Sequence, residues 1–276
     1  MKHYLFAKNY KDFSAEELME KCALYGIDGP SALIRDGYWI TETDLVTELP
    51  AFVRTAEKYG LEVKYADTDI AVTDAEAKAD LIRAMSDCGI ENFRLAYVFK
   101  KSFPGHVREL EEFMKRNLFK VAEVAERANI RAVVQIHGYT YPHNATAAYN
   151  CVKGLDPKYI GVKLDPGNNF SAEGYEFLTY QVPLLGEYIC ALGEKDAMLV
   201  RGEDKGDGNK GWYRPFVPAQ DGATNHETLF DELKKIGFAG PGIFMPMYHP
   251  DNFERMEKEF IGEIEYFKKM EAKYGL

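Results

Sequence analysis

Short apolar segments alternate with amphipathic helical segments along this chain, and this alternation constrains the fold more than any other feature. The strand–helix units repeat with a spacing of roughly 30 residues, the length of a β/α unit. The predicted strands lie at residues 4–8, 29–33, 61–66, 92–97 and 132–137, at a segment ending at 165, and at 197–201 and 242–245. Eight such units in 276 residues predict a (β/α)8 barrel.

A doubly wound open sheet is the alternative architecture, but no G-x-G-x-x-G sequence follows the first predicted strand. Glycine and proline are dispersed and no low-complexity linker interrupts the chain, so we expect one domain over residues 1–276.

Composition and charge narrow the class of protein. A formal charge of −10 argues against nucleic acid or an anionic membrane as the main partner. The chain has no apolar start of signal-peptide length and no apolar run of transmembrane length, which favours a cytoplasmic protein. The four cysteines are scattered, without C-x-x-C spacing, and are expected to be reduced thiols.

Polar residues finish two neighbouring predicted strands. Alternation places Gln135 and His137 on one face of the fifth strand, and Lys163 and Asp165 on one face of the sixth. Since the carboxyl ends of parallel strands meet at one edge of the sheet, the pattern predicts a site at that edge.

The second half of the chain resembles the sugar phosphate isomerase/epimerase superfamily of xylose isomerase-like TIM barrels. The first half fits only in its rhythm. The segments that carry the resemblance are residues 135–138, 154–162, 164–168, 173–176, 184–189 and 228–240.

The resemblance implies a divalent metal at the barrel mouth, held by a Glu, an Asp, a His and a Glu that end strands five to eight. Such hard ligands suit Mn²⁺ or Mg²⁺. Here the aligned residues are Gln135, Asp165, Arg201 and Met245, and Asn168 stands where the family usually has a second His. Asp165 is therefore the only family ligand retained, and the family metal becomes uncertain.

Basic residues could replace part of the metal's electrostatic role by holding an anionic substrate or a developing oxyanion. The candidates are Lys163 and Arg201, with Lys8, Lys64 and Arg94 on the first, third and fourth predicted strands. The alternative is that Lys163 and Arg201 form structural ion pairs with Asp165, Glu203 or Asp204.

His137 is the first candidate for acid/base chemistry, because imidazole titrates near neutral pH. The alternative is a histidine satisfied by backbone hydrogen bonds. His143 and His249 lie on loops and are more typical of surface histidines.

Aromatic residues on predicted loops could stack on a sugar ring or simply pack there: Tyr97, Phe99, Tyr139, Tyr141, Trp212, Tyr213 and Phe216. The charged, glycine-rich residues 202–211 predict a mobile loop over the mouth.

The sequence therefore predicts an enzyme that isomerises or epimerises a sugar or polyol by abstracting a proton next to a carbonyl. A lyase, a keto-glycoside-cleaving enzyme and an inactive sugar-binding barrel are the alternatives. The predicted catalytic residues are His137, Asp165 and Lys163; the predicted substrate-binding residues are Gln135, Asn168, Arg201, Arg94, Lys64 and Trp212. The expected partner is a small carbohydrate, with an anionic one as a variant of this expectation, and relatives that often pair suggest a homodimer.

Overall fold

Parallel strands form a nearly closed barrel in the computed structural model, which describes residues 1–172 and 174–276. Glu173, one of the residues that carry the resemblance, lies outside the described residues. The strands are β1 His3–Leu5, β2 Gly29–Pro30, β3 Ala32–Ile34, β4 Tyr65–Thr68, β5 Asn92–Arg94, β6 Arg131–Gln135, β7 Ile160–Leu164, β8 Ile189–Glu194, β9 Asp196–Ala197, β10 Val200–Arg201, β11 Trp212–Tyr213, β12 Phe216–Val217 and β13 Gly242–Phe244.

The barrel sheet has the strand order β2-β1-β13-β8-β7-β6-β5-β4-β3, and all of its pairings are parallel. Its two edge strands, β2 and β3, are separated in sequence only by Ser31, so they are two parts of one stave. The predicted (β/α)8 barrel is confirmed.

Helices surround the barrel: α1 Ala15–Tyr25, α2 Leu45–Lys58, α3 Ala79–Asp87, α4 Val107–Ala128, α5 Ala145–Val152, α6 Pro166–Ser171, α7 Leu178–Leu185, α8 His226–Lys235 and α9 Phe253–Tyr274. The first helix begins with a capping box, because Ser14 accepts from the Glu17 amide and Glu17 accepts from the Ser14 amide. Among the described residues, no helix combines the length and apolar character needed to span a membrane.

Two apolar clusters hold the layers together. The larger one packs the helices against the outside of the barrel wall. The smaller one fills the barrel interior with Tyr4, Phe6, Leu33, Tyr65, Val133, Cys190, Ala191, Ile243 and Met245. Because this cluster occupies the interior, polar side chains that point inward collect at the carboxyl ends of the strands.

The predicted seventh strand was wrong. The chain completes the barrel with β8, since Ile189–Glu194 pairs with both β7 and β13. Residues 197–201 instead contribute to two small antiparallel pairings, β9 with β12 and β10 with β11. Residues 189–194 form the seventh barrel strand in place of the adjacent apolar segment 197–201 because their backbone pairs with a neighbouring strand on each side.

Candidate functional site

A buried ion cluster crosses the barrel interior around Asp67. Asp67 Oδ2 accepts a hydrogen bond from Ser31 Oγ at 2.9 Å, and Oδ1 accepts one from Arg94 Nε at 2.9 Å. Lys163 Nζ lies 3.6 Å from Asp67 Oδ1 and 5.0 Å from the centre of the Tyr65 ring. Two cations therefore share one carboxylate.

The environment favours the ionised form of Asp67. Burial alone would raise the pKa of Asp67, but Lys163 and Arg94 outweigh it and lower that pKa. Burial lowers the pKa of Lys163, with Asp67 opposing and Arg94 reinforcing the shift. Lys163 Nζ is buried without a hydrogen-bond partner, so its ammonium is held only by charge and by the Tyr65 ring.

A second carboxylate, Asp165, follows β7 and is surrounded by hydrogen-bond donors. Its Oδ2 accepts from Gln135 Nε2 and from Asn168 Nδ2, both at 2.7 Å, and lies 3.6 Å from Lys195 Nζ. Its Oδ1 accepts from the Asn168 backbone amide at 2.9 Å, which caps α6. Asp165 follows β7, Gln135 is the last residue of β6, and Lys195 follows β8. Three different barrel strands therefore bring these groups together.

The donor pattern fixes how the amide groups are turned. Lys195 Nζ donates to Asn168 Oδ1 at 2.8 Å, and since an ammonium has no acceptor, the amide nitrogen of Asn168 must face Asp165. Tyr97 Oη donates to Gln135 Oε1 at 2.7 Å, which likewise turns the Gln135 nitrogen toward Asp165.

Tyr97 joins His137 and Arg94 to this network. The rings of Tyr97 and His137 are 4.2 Å apart, and the Arg94 guanidinium lies 4.6 Å from the Tyr97 ring centre. We call the connected set of Ser31, Asp67, Arg94, Tyr97, Gln135, His137, Lys163, Asp165, Asn168 and Lys195 the mouth network.

His137 is half-buried and has a defined tautomer. Its Nδ1 lies 2.9 Å from the Gly138 carbonyl oxygen, which can only accept, so Nδ1 carries the hydrogen. The Nε2 atom of the neutral ring is then an acceptor. Burial lowers the pKa of His137, and the neutral ring is thereby favoured near pH 7.

Most of the sequence-predicted residues meet in the mouth network. Gln135, His137, Lys163, Asp165, Asn168 and Arg94 belong to it by direct contact. Their catalytic and binding roles remain predictions.

The other three predicted site residues lie elsewhere. Lys64 precedes β4, at its amino end, and its Nζ lies 3.6 Å from Glu91 Oε1, so it is at the opposite end of the barrel from the mouth. Arg201 and Trp212 pair across β10 and β11, where both are exposed and the guanidinium lies 5.4 Å from the indole centre. Arg201 therefore does not end the seventh barrel strand.

Sequence reasoning missed three members of the mouth network: Ser31, Asp67 and Lys195. Of these, Lys195 carried a recognisable signal. It follows β8 directly, and its signal was the apolar run 189–192 followed by the charged run 194–196. The same arrangement of an apolar strand followed by charged residues had correctly located Asp165.

Comparison with known proteins places this geometry in a family. Residues 6–270 match the family model of the xylose isomerase-like TIM barrel. The chain belongs to this family. No match was found among curated protein sequences.

Solved structures of other xylose isomerase-like barrels agree in fold. D-psicose 3-epimerase from Clostridium cellulolyticum H10 has a TM-score of 0.74 and 12% identity, over 98% of this chain and 99% of that one. A 3-keto-D-glucoside 4-epimerase from E. coli gives 0.68 and 14%, over 98% and 99%. A family protein from Mycobacterium smegmatis, solved in complex with magnesium, gives 0.64 and 14%, over 92% and 91%.

The mouth network does not fit the Mn²⁺ or Mg²⁺ that such barrels imply. Asp165 Oδ2 already accepts two N–H hydrogen bonds and lies 3.6 Å from the Lys195 ammonium, and a cation would have to displace these groups. Gly193 on β8 is the residue next to Asp165, since an added Cβ would lie 3.0 Å from the Asp165 carboxyl carbon, but a glycine has no side chain that could bind a metal. Met245, with its sulfur 3.9 Å from Gln135 Nε2, is a soft ligand.

Another group with metal-binding residue types lies outside the barrel, between its wall and α9. His3 Nδ1 is 2.9 Å from Glu194 Oε2, and His3 Nε2 is 2.6 Å from Glu271 Oε1. The Met1 ammonium is 3.3 Å from Glu271 Oε2. Burial alone would lower the pKa of His3, but the two carboxylates outweigh it and raise that pKa to about 10. The charged His3 ring and the Met1 ammonium together supply two positive charges against the two carboxylates, so the group is a charge-balanced ion cluster.

Proposed function

We propose that this protein is a carbohydrate isomerase or epimerase that abstracts a proton next to a carbonyl at the carboxyl end of the barrel. The observation that carries the proposal is the mouth network, which connects a neutral imidazole to an ionised carboxylate and to buried cations. Its position at the strand ends agrees with where (β/α)8 barrels hold their active sites. The epimerases among the solved relatives support the same class of chemistry.

His137 is the proposed base. Its Nδ1 hydrogen is fixed on the Gly138 carbonyl, and its Nε2 lone pair is available at neutral pH because burial lowers the pKa of the ring. Proton transfer from the carbon beside a carbonyl to Nε2 would leave an enediolate and an imidazolium.

The charge of the network suits such an anionic intermediate. Three buried cations, Arg94, Lys163 and Lys195, face two buried carboxylates, Asp67 and Asp165. Fixed positive charge in a water-poor interior stabilises negative charge that develops during a reaction.

The two amide side chains have unequal freedom to bind a substrate hydroxyl. Both hydrogens of Asn168 Nδ2 are engaged, by Asp165 Oδ2 at 2.7 Å and by the Ile136 carbonyl at 3.1 Å. Gln135 Nε2 uses one hydrogen on Asp165 and directs the other toward the weakly accepting Met245 sulfur. Gln135 is therefore the proposed hydroxyl donor and Asn168 a positioning residue.

The test is proton exchange in D₂O. Purified protein is incubated with ketoses, aldoses, keto-glycosides and uronates, and ¹H NMR follows loss of the proton beside the carbonyl and formation of the isomer. His137→Gln should lower kcat by about 100-fold or more, the usual contribution of a general base. His106→Asn, which alters an exposed histidine at the start of α4, is the matched control.

The remaining outcomes contradict the proposal in distinct ways. Release of water with a new unsaturated product would assign a lyase. Ligand-dependent thermal stabilisation without exchange for any sugar would assign a binding protein.

A further inference from the structure

The mouth network contains an ammonium where a cation could contact a substrate oxygen. Lys195 follows β8, is only 3% exposed, and reaches toward Asp165 together with Asn168. Burial of a lysine this complete is costly unless the charge is paired and hydrogen-bonded.

The three hydrogens of this ammonium have unequal partners. One is donated to Asn168 Oδ1 at 2.8 Å, and one side of the group faces Asp165 Oδ2 at 3.6 Å. A further side faces the ring of Phe216, whose centre is 4.2 Å from Nζ. An aromatic face is a weaker partner than an oxygen, so a substrate oxygen that displaced the Phe216 ring would gain a stronger hydrogen bond.

Phe216 lies on a short strand outside the barrel sheet. It belongs to β12, a two-residue strand paired only with β9 among the described residues, and it is half-buried. The intervening residues, 198–215, contain the exposed hairpin of β10 and β11.

The surrounding charges also tune Lys195 as a proton donor. Burial lowers its pKa, Asp165 opposes that shift, and Lys8 reinforces it. An ammonium with a lowered pKa gives up a hydrogen to an oxyanion more readily than an ordinary lysine.

We infer that Lys195 is a catalytic residue that binds and polarises the substrate carbonyl oxygen, so that this barrel works without a metal ion. The inference rests on the proposed function. When His137 takes the proton from the adjacent carbon, the C–H electron pair forms the C=C bond of an enediolate. The carbonyl π pair moves to oxygen, where the Lys195 ammonium stabilises it. Lys195 gives a proton to this oxygen and takes the proton of the adjacent hydroxyl, whose carbon becomes the new carbonyl as the C=C pair accepts the His137 proton at the former carbonyl carbon; this completes the isomerisation and restores both residues.

The experiment compares the protein as purified with the same protein after exhaustive dialysis against EDTA. Inductively coupled plasma mass spectrometry measures the metal content of both samples. Turnover is measured on the sugar that shows exchange in D₂O. We expect less than stoichiometric metal and the same kcat before and after dialysis. Loss of activity with EDTA and recovery with Mn²⁺ or Mg²⁺ would overturn the inference while leaving the proposed function intact.

Substitutions then assign the role to Lys195. Lys195→Met should lower kcat by about 100- to 1,000-fold with a smaller change in KM, as expected when a donor to a developing oxyanion is removed. Lys195→Arg should recover part of this loss because it restores a cationic donor. Lys120→Met, on the exposed face of α4, is the control. Unchanged kcat in Lys195→Met would overturn the inference.

Two readouts keep the result interpretable. Circular dichroism must show that Lys195→Met retains the wild-type fold; if it does not, Lys195→Arg and the EDTA comparison decide the question. Absence of exchange by the wild-type protein with every sugar would count against the proposed function itself, and the inference about Lys195 would fall with it.

Discussion

Asp165 illustrates how neighbouring side chains decide what a single carboxylate can bind. In a metal-binding barrel its oxygens must remain free to coordinate a cation. Here Gln135 and Asn168 donate hydrogen bonds to Oδ2, and the Lys195 ammonium lies 3.6 Å from it. Changing the neighbours should therefore change the preference from hydrogen-bond donors to a metal ion.

The double substitution Gln135→Glu with Lys195→Met should create a Mn²⁺ site. It removes the Gln135 N–H donor and the Lys195 ammonium, and it adds a second carboxylate beside Asp165, which suits a hard cation. Isothermal titration calorimetry and the Mn²⁺ electron paramagnetic resonance signal should report binding by the variant and none by the wild-type protein. Adding Asp165→Asn to the pair should abolish it. Equal Mn²⁺ binding by the wild-type network would contradict the prediction.

The two titratable groups proposed to act on substrate predict a bell-shaped dependence of kcat/KM on pH. Burial lowers the pKa of His137 below 6.5, so activity should fall only as the pH drops below that value and the base becomes protonated. Burial lowers the pKa of Lys195 below 10.5, so activity should fall at high pH before an ordinary lysine would titrate. Lys195→Arg should move the alkaline limb upward. An acid limb above pH 6.5 in the wild-type enzyme would count against His137 as the base.

At the level of elements, a loop on the carboxyl side of the barrel is anchored to α9 through one buried side chain. Glu263 Oε1 accepts from the Ala219 amide at 2.7 Å and Oε2 from Tyr248 Oη at 3.1 Å. Burial raises the pKa of Glu263 to about 8. The folded protein therefore keeps a proton that the unfolded chain has already lost.

Glu263→Gln should become progressively more stable than the wild type as the pH rises from 5 to 8. Stability from the retained proton is complete below pH 4.5 and is lost as the pH rises through about 8. The variant lacks this proton linkage, so the difference should grow by about 1.4 kcal/mol per pH unit in that window. Urea unfolding at four pH values measures it, with exposed Glu265→Gln as the control. A difference that is constant with pH would contradict the assignment.

The elements also show where sequence reasoning succeeds and where it stops. Alternation within a strand is a local property, so the inward facing of Lys163 and Asp165 was predictable. The seventh strand was not, because its choice depended on pairing with β7 and β13, which are distant in sequence. Lys64 was misplaced because the strand predicted at residues 61–66 begins only at Tyr65, which leaves Lys64 before its amino end. The orientation of the Gln135 and Asn168 amides required knowing that Tyr97 and Lys195 contact them.

For the whole molecule, one ion cluster ties the first strand to the last helix. His3 bridges Glu194 of β8 and Glu271 of α9, and its ring stacks on Phe244 at 5.0 Å. Because β1 and β13 are neighbours in the barrel, this cluster stabilises the meeting of the two ends of the chain.

His3→Gln should lower the free energy of unfolding by about 3 to 5 kcal/mol near pH 6, the usual cost of leaving buried charges without their partner. The pKa of His3 is raised to about 10, so the stability that its charge supplies is complete below pH 6.5 and is lost as the pH rises through 10. The cost of the substitution should therefore shrink toward pH 10. Chemical denaturation across this range measures it, with exposed His143→Gln as the control. A cost that rises with pH would contradict the assignment.

The ammonium beside Asp165 also determines which compounds should inhibit the protein. Chelating groups such as hydroxamates depend on a bound ion for their affinity, and the residues around Asp165 do not fit one. A planar anion that mimics an enediolate would instead displace the Phe216 ring and pair with Lys195. Inhibitor selection for this barrel should therefore begin with sugar acids and their oxime analogues.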